Sequence, residues 1–552
     1  MKMRVSHATE LTNSLPSCFR TDVNGCKTYG CPNLGISDPS RYTRSKRLGY
    51  EAYHCPKCGA YPPVLLSKPI NDLLRHLCHH QCLPDIRQCP QCFQDKDKDK
   101  DKDKDKDKDP VTNNNPKTVR AYGVTSAGTP RVQCRQCLHV FSLLNEERLS
   151  EQLQPLWTLL QLSHTDILFD VNGQATRAVT PDILRLRSGL QPQVFYRRMA
   201  LLSQLLRQYA SRVEGEGIPR YNEGYAGNKA SENTSNSLAN KDGSNDENNI
   251  TPLSLQTNSH VVRCRSGLAG SHGCDTWWLT TAESQTGYQL FQSANVLTHR
   301  EALGNRSYQG AYQLTTCEGD INETETLFET ATLTYERILA RRQFDELAYC
   351  DGEHRHLKDG VLLRPVYAAH AHFQFLNVLL APVFHTNFIL QHESFIRGAA
   401  IFAFQQPVTD KRCQLYYLHY SMMNTSLECH SSVSDKPPKH QTLSWWSENW
   451  QQRMHVYQLQ RWQLCVGRLT QQGQAHVVTT RPDWNADFWY GFDAWLPATY
   501  RTKLSYSMLC TWLGIYRFLY NFQQDPSRNE LFFRHNMDTQ SIKSLVSYLN
   551  QE

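Results

Sequence analysis

Cys89-Pro90-Gln91-Cys92 and Cys134-Arg135-Gln136-Cys137 are two Cys-x-x-Cys knuckles, and a second set stands upstream, Cys26-x4-Cys31 with Cys55-Pro56-Lys57-Cys58. Each set supplies four thiolates, the soft tetrahedral ligands that Zn²⁺ takes in closed structural sites. Eleven of the nineteen cysteines precede residue 138, so the N-terminus reads as built around metal. Two structural zinc ions are expected, one on Cys26, Cys31, Cys55 and Cys58, the other on Cys89, Cys92, Cys134 and Cys137. Cys78-His79-His80-Gln81-Cys82 also has ligand-like spacing and can complete or exchange with either set.

Carboxylates offer a second chemistry. Cleavage or transfer at a phosphodiester uses two Mg²⁺ or Mn²⁺ ions about 3.5–4 Å apart, and such hard cations want carboxylate oxygens brought together from distant positions. Asp351 follows the short apolar stretch Leu347–Cys350, and Gly352 behind it permits a sharp turn. Glu393 lies on a helical stretch with Arg397 one turn further on. Both also have plain readings, an Asp-Gly turn and a helix-face ion pair. At the strand where a first acid belongs stands Asn258, a poor ligand, and Asp275 on the next strand is the nearest carboxylate that can substitute.

The elements that must position these groups fall into segments. Residues 1–75 and 76–142 hold the two ribbons, the second interrupted over 94–116 by an Asp-Lys alternation and an Asn/Pro run with nothing apolar to bury. Residues 143–215 are helical. Within them Thr180-Pro181 opens a short helix that ends at Ser188-Gly189, and Pro192 opens a second. That second helix presents Gln193, Tyr196, Arg197 and Arg198, and Gln and Arg can read base edges in a major groove. An ordinary helical hairpin with a basic face gives the same local pattern. Residues 216–257 are a polar Asn/Ser/Gly linker. From 258 to 552 come strands at 260–264, 276–281 and 288–292, a helix over 323–343, strands at 347–350 and 377–381, and helices over 444–469 and 504–520. Strand, strand, strand, helix, strand, helix, strand, helix is the order of a ribonuclease-H-like mixed α/β domain. The fold class is thus multidomain α+β: zinc ribbons, a helix-turn-helix domain and a ribonuclease-H-like domain with a helical extension.

The ribbon from Cys89 to Ser142, with its basic hairpin Tyr122–Gln133 and terminal Phe141-Ser142, resembles the N-terminal zinc ribbon of bacterial insertion-sequence transposases. The helix-turn-helix is similar in position, and the C-terminal half looks like their catalytic domain. The resemblance implies element-DNA recognition by the N-terminal half, with Arg131 in the basic hairpin among the contacts. It also implies strand cleavage and transfer on a metal-binding acid triad, with Asp351 second, Glu393 third, and Asn258 (a departure) or Asp275 first. A domesticated DNA-binding protein without cutting activity is the alternative. An RNA or protein adaptor is a third.

Net charge is +6, which permits a nucleic-acid partner without requiring one. No apolar run is long enough to span a bilayer, and the N-terminus lacks the apolar core of a signal peptide. Thiol-rich knuckles without a secretion signal suit a reducing compartment. The expected setting is a bacterial cytoplasm, at the nucleoid, as a homodimer on double-stranded DNA with no membrane partner.

Overall fold

The computed structural model describes residues 21–45, 52–65, 67–81, 119–125, 130–142, 146–165, 181–232, 252–265, 273–298, 356–357, 360–391, 393–422, 450–457, 460–470, 481–529 and 538–550. It is a mixed α+β protein. The N-terminal part carries the hairpin β1 (Thr43–Ser45) and β2 (Ala52–His54), helix α1 (Ser67–Gln81), and a three-stranded antiparallel sheet of β3 (Val119–Val124), β4 (Pro130–Cys134) and β5 (Val140–Ser142). Helices α2 (Glu146–Thr165), α3 (Pro181–Ser188) and α4 (Pro192–Glu232) follow.

A seven-stranded sheet dominates the rest. Strands β6 (Leu253–Cys264), β7 (Cys274–Glu283) and β8 (Gln289–Ala294) form an antiparallel meander, extended by the small sheet of β9 (Val296–Thr298), β10 (His356–Leu357) and β11 (Gly360–Leu362). Helix α5 (Pro365–Leu379) returns the chain to β12 (Thr386–Leu390), which lies parallel to β6. Helix α6 (Ser394–Ala403) then leads to β13 (Cys413–Met422), parallel to β12. The antiparallel pair β14 (Trp450–Tyr457) and β15 (Gln460–Arg468) closes that side, giving the order β14-β15-β13-β12-β6-β7-β8. Helices α7 (Trp484–Trp495), α8 (Tyr506–Leu519) and α9 (Ile542–Asn550) complete the chain.

Period-two alternation explains how the sheet is covered on both faces. On β7, Trp277 meets Phe395 of α6, while Trp278 meets Trp489 of α7 and Tyr506 of α8. One buried apolar cluster runs from Val23 through α1, α2 and α4, across the sheet, to Val546. The helices over 146–218 therefore share a core with the sheet. Trp157 of α2 is fully buried, stacks edge-on against Phe518 of α8 and donates its indole N–H to the Thr539 carbonyl at 3.1 Å.

Three sequence expectations are corrected. The strand expected at 377–381 is the end of α5. Its apolar residues continue a helix buried nearly all round, with Ala368, Ala369 and Ala371 allowing close packing, and Pro382 lies just past the end. The helix expected over 444–469 gives way to strands β14 and β15: Leu464 and Val466, two residues apart, are both buried, and Val466 joins a small core with Ile389 and Tyr416. Third, α4 runs on to Glu232, well into the expected linker, with Val213 and Ile218 still buried. The helix expected over 323–343 and the strand at 347–350 lie outside the described residues.

Candidate functional site

Two arrangements carry chemistry. The first is a four-cysteine centre. Cys26 and Cys31 come from one loop, Cys55 and Cys58 from the turn after β2, and all four sulfurs lie within 4.8 Å of one another. Cys26 Sγ stands 3.5 Å from Cys58 Sγ, and Cys31 Sγ 3.7 Å from Cys55 Sγ. The turn is set by Gly59 at φ 72°, whose N–H donates to the Cys55 carbonyl at 2.8 Å. Asn33 donates its backbone N–H to Cys31 Sγ and its side-chain amide to Cys55 Sγ, both at 3.4 Å. Burial pushes the Cys26 thiol up. Burial opposes ionisation at Cys55 too, but the Asn33 amide and the backbone N–H groups of Cys58 and Lys57 outweigh it and bring Cys55 down to about 6. Four converging sulfurs are the donor set of a structural zinc site, and this cluster can hold such an ion.

Cys134 and Cys137 form a second turn of the same build. Leu138, at φ 59°, donates its N–H to the Cys134 carbonyl at 3.1 Å, matching Gly59 on Cys55. Cys134 N–H donates to the His139 carbonyl at 2.9 Å, as Cys55 N–H does to Ala60 at 2.9 Å. Gln136 N–H points at Cys134 Sγ at 3.4 Å. Cys89 and Cys92 lie outside the described residues. On the sheet beside this turn, Tyr122 is half exposed with the Arg131 guanidinium 5.8 Å above its ring, and Arg120 donates to Gln133 Oε1 at 2.9 Å.

The second arrangement lies where the parallel strands β6 and β12 end. Thr257 is the register partner of Leu390, so the next residues, Asn258 and Gln391, emerge side by side. Asp483, just before α7, closes the group, and together they border a cavity of about 380 Å³. Asp483 caps α7, its Oδ1 accepting from Ala486 N–H at 2.8 Å. Its Oδ2 accepts from Asn258 Nδ2 and from the Tyr420 hydroxyl, both at 2.8 Å. Gln391 Oε1 accepts from the Ser259 N–H and hydroxyl, each at 2.7 Å. His260 stacks on Trp489 with ring centroids 4.6 Å apart, and burial, then Arg501, lowers its ring to about 4. Burial raises the Asp483 carboxyl despite the hydrogen bonds it accepts from Ala486, Tyr420, Asn258 and Asn485. One turn along α7, Asp487 pairs with Arg481, and burial raises it to about 6.

Of the expected catalytic acids, Glu393 and Asp275 stand away from this cleft. Asp351 lies outside the described residues. The parallel strand beside β6 is Thr386–Leu390, and it delivers Gln391. Glu393 precedes α6, where its carbonyl accepts from the Tyr417 hydroxyl at 3.2 Å, and it does not border the cavity. Asp275 faces Arg263 across β6 and β7 at 3.0 Å, five residues beyond Asn258, or about 17 Å along a strand. Asn258 does stand at the centre. The sequence expectation does not include Gln391 or Asp483: a strand at 377–381 does not deliver the first, and the signal for the second is Pro482-Asp483 before an apolar run, a helix start. Of the expected DNA contacts, Gln193 and Arg197 are exposed on the first turns of α4, Tyr196 and Arg198 half-buried, and Arg131 lies on β4.

No family model, curated protein or solved structure matches this chain.

Proposed function

We propose that the protein is a DNA-binding protein of transposase-like plan whose ribonuclease-H-type centre no longer cuts. The strand order β8-β7-β6-β12-β13, with β12 and β13 parallel to β6, supports a ribonuclease-H-like domain. In that fold the acids come from the first strand, the end of the fourth and a late helix, which here are the places of Asn258, Gln391 and Asp483. The observation that carries the reading is this trio. Two-metal chemistry needs several carboxylates around its ions, whereas Asp483 is the one carboxylate bordering the cavity among the described residues. Asn258 donates a hydrogen bond to it where a cation would have to sit.

Duplex recognition belongs to the N-terminal half. The α3–α4 hairpin turns at Gly189, φ 65°, and exposes Arg187, Gln193 and Arg197. Arg120, Tyr122 and Arg131 share the ribbon sheet, and the twin turn at Cys134 and Cys137 supports a second zinc, completed by Cys89 and Cys92. The test uses the duplex flanking the protein's own gene, followed by fluorescence anisotropy and by nicking in Mg²⁺ or Mn²⁺. Binding is expected to weaken steeply with salt. Paired replacement of Arg197 and Arg131 by Ala is expected to reduce it, with no nicking by wild type in either metal. Metal-dependent nicking that Asp351→Ala abolishes would reinstate a cutting enzyme, and absence of binding to any duplex would remove the DNA reading.

A further inference from the structure

We infer that the amide-lined cavity at the ends of β6 and β12 is a binding site for a single unpaired nucleobase. Its volume of about 380 Å³ sits at the small-molecule end of the roughly 300–1,000 Å³ range of ligand sites. The polar groups are built in rather than incidental. Asn485 is 1% exposed and donates its Nδ2 to the Gln256 carbonyl at 3.1 Å, which ties this part of the wall to β6. Gln391 and Asn258 are each fixed at one end of their amide, by Ser259 and Asp483, so their other ends, Gln391 Nε2 and Asn258 Oδ1, are preset donor and acceptor.

Charge narrows the class of ligand. A divalent cation is disfavoured because Asp483 already accepts hydrogen bonds at both carboxylate oxygens, two of them at Oδ2. A phosphate is disfavoured because that carboxylate lies in the wall, and the His260 ring beside it is neutral at pH 7. What remains is a neutral ligand with in-plane donors and acceptors and apolar faces. Leu390, Leu418, Tyr420 and the His260–Trp489 stack supply apolar and aromatic wall, and Trp489 is held by its indole N–H on Thr280 Oγ1 at 3.1 Å. A carboxamide-rimmed, aromatic-walled pocket is how proteins read a base removed from its stack. The base can belong to a free nucleoside or to a single strand. Only the second source rests on the DNA-binding function proposed above.

The test uses the full-length, zinc-loaded protein, titrated with each of the four deoxynucleosides, with a short single-stranded oligonucleotide, with the same strand made abasic, and with duplex. At least one nucleoside, or the intact but not the abasic strand, is expected to bind saturably. Gln391→Ala is expected to weaken that binding by about tenfold or more, at unchanged duplex affinity. Should the variant fold poorly, the same ligand on wild type must slow amide exchange at residues 256–260 and 483–489. Binding by neither nucleoside nor single strand, equal binding by a folded Gln391→Ala variant, or no exchange protection overturns the pocket. Duplex affinity retained in that case leaves the DNA reading standing, and nucleoside binding without duplex affinity does the reverse.

Discussion

His372 is fully buried between α5 and the sheet, its Nε2 2.8 Å from Thr281 Oγ1 and its Nδ1 2.8 Å from Ser293 Oγ. Thr281 in turn meets Thr257 Oγ1 at 2.8 Å, so one imidazole links α5 to three strands by way of hydroxyls. Burial lowers this ring to about 3, from 6.5. The folded state therefore holds it neutral, and the stability this gives is present above pH 6.5 and is lost as pH falls from there towards 3. His372→Asn should destabilise the protein at pH 7, because two hydroxyls lose a well-placed partner. That deficit should shrink between pH 6.5 and 4, since the variant lacks the titrating group. Urea unfolding of both proteins across that range checks it, and a deficit that grows with acid would refute the assignment.

At the scale of elements, β8 is a sheet edge that helices have closed. Asn521 accepts from Gln289 N–H at 2.9 Å and donates to the Gln289 carbonyl at 3.0 Å, and Arg517 of α8 donates to the Gln289 and Leu290 carbonyls. Arg517 also pairs with the buried Glu214 of α4, which accepts from the Tyr288 hydroxyl at 2.9 Å. Burial raises the Glu214 carboxyl, with Arg517 pulling the other way. Glu214→Ala leaves a guanidinium buried and uncompensated, and should cost about 3–5 kcal/mol, read as a lower denaturation midpoint. Glu214→Gln should cost less. The sequence announces some of these elements and hides others, for physical reasons. The meander β6–β8 is legible because its residues are β-branched or aromatic and Gly287, φ 79°, marks the turn. Strand β12 is five residues, all buried, and short apolar runs of that kind carry no period. The four cysteines were legible from ligand spacing alone. The cleft is half legible: Asn258 is readable as a strand residue, while Gln391 and Asp483 meet it through tertiary pairing that no local pattern encodes.

Over the whole molecule, the first cysteine centre is seated on the sheet's helices. Lys27 Nζ lies 3.0 Å from Nε2 of the buried His370 in α5, and a Cβ on Gly25 would come within 2.7 Å of the Ile36 carbonyl oxygen and 3.1 Å of Phe402. A Cβ on Gly35, φ 70°, would collide with Gln405, so the loop holding Cys26 and Cys31 rests directly against the segment around α6. Among the described residues no helix is long and apolar enough to cross a membrane. A metal held there would be a ligand of the folded state as a whole. By mass action, an ion bound only by the native form adds about 1.4 kcal/mol for each tenfold rise in its free concentration above the dissociation constant. The melting temperature should therefore climb steadily with buffered free Zn²⁺, and the climb should flatten in a Cys55→Ser variant. Zinc availability would then set how much of this protein stands folded in a cell, independently of any partner it binds.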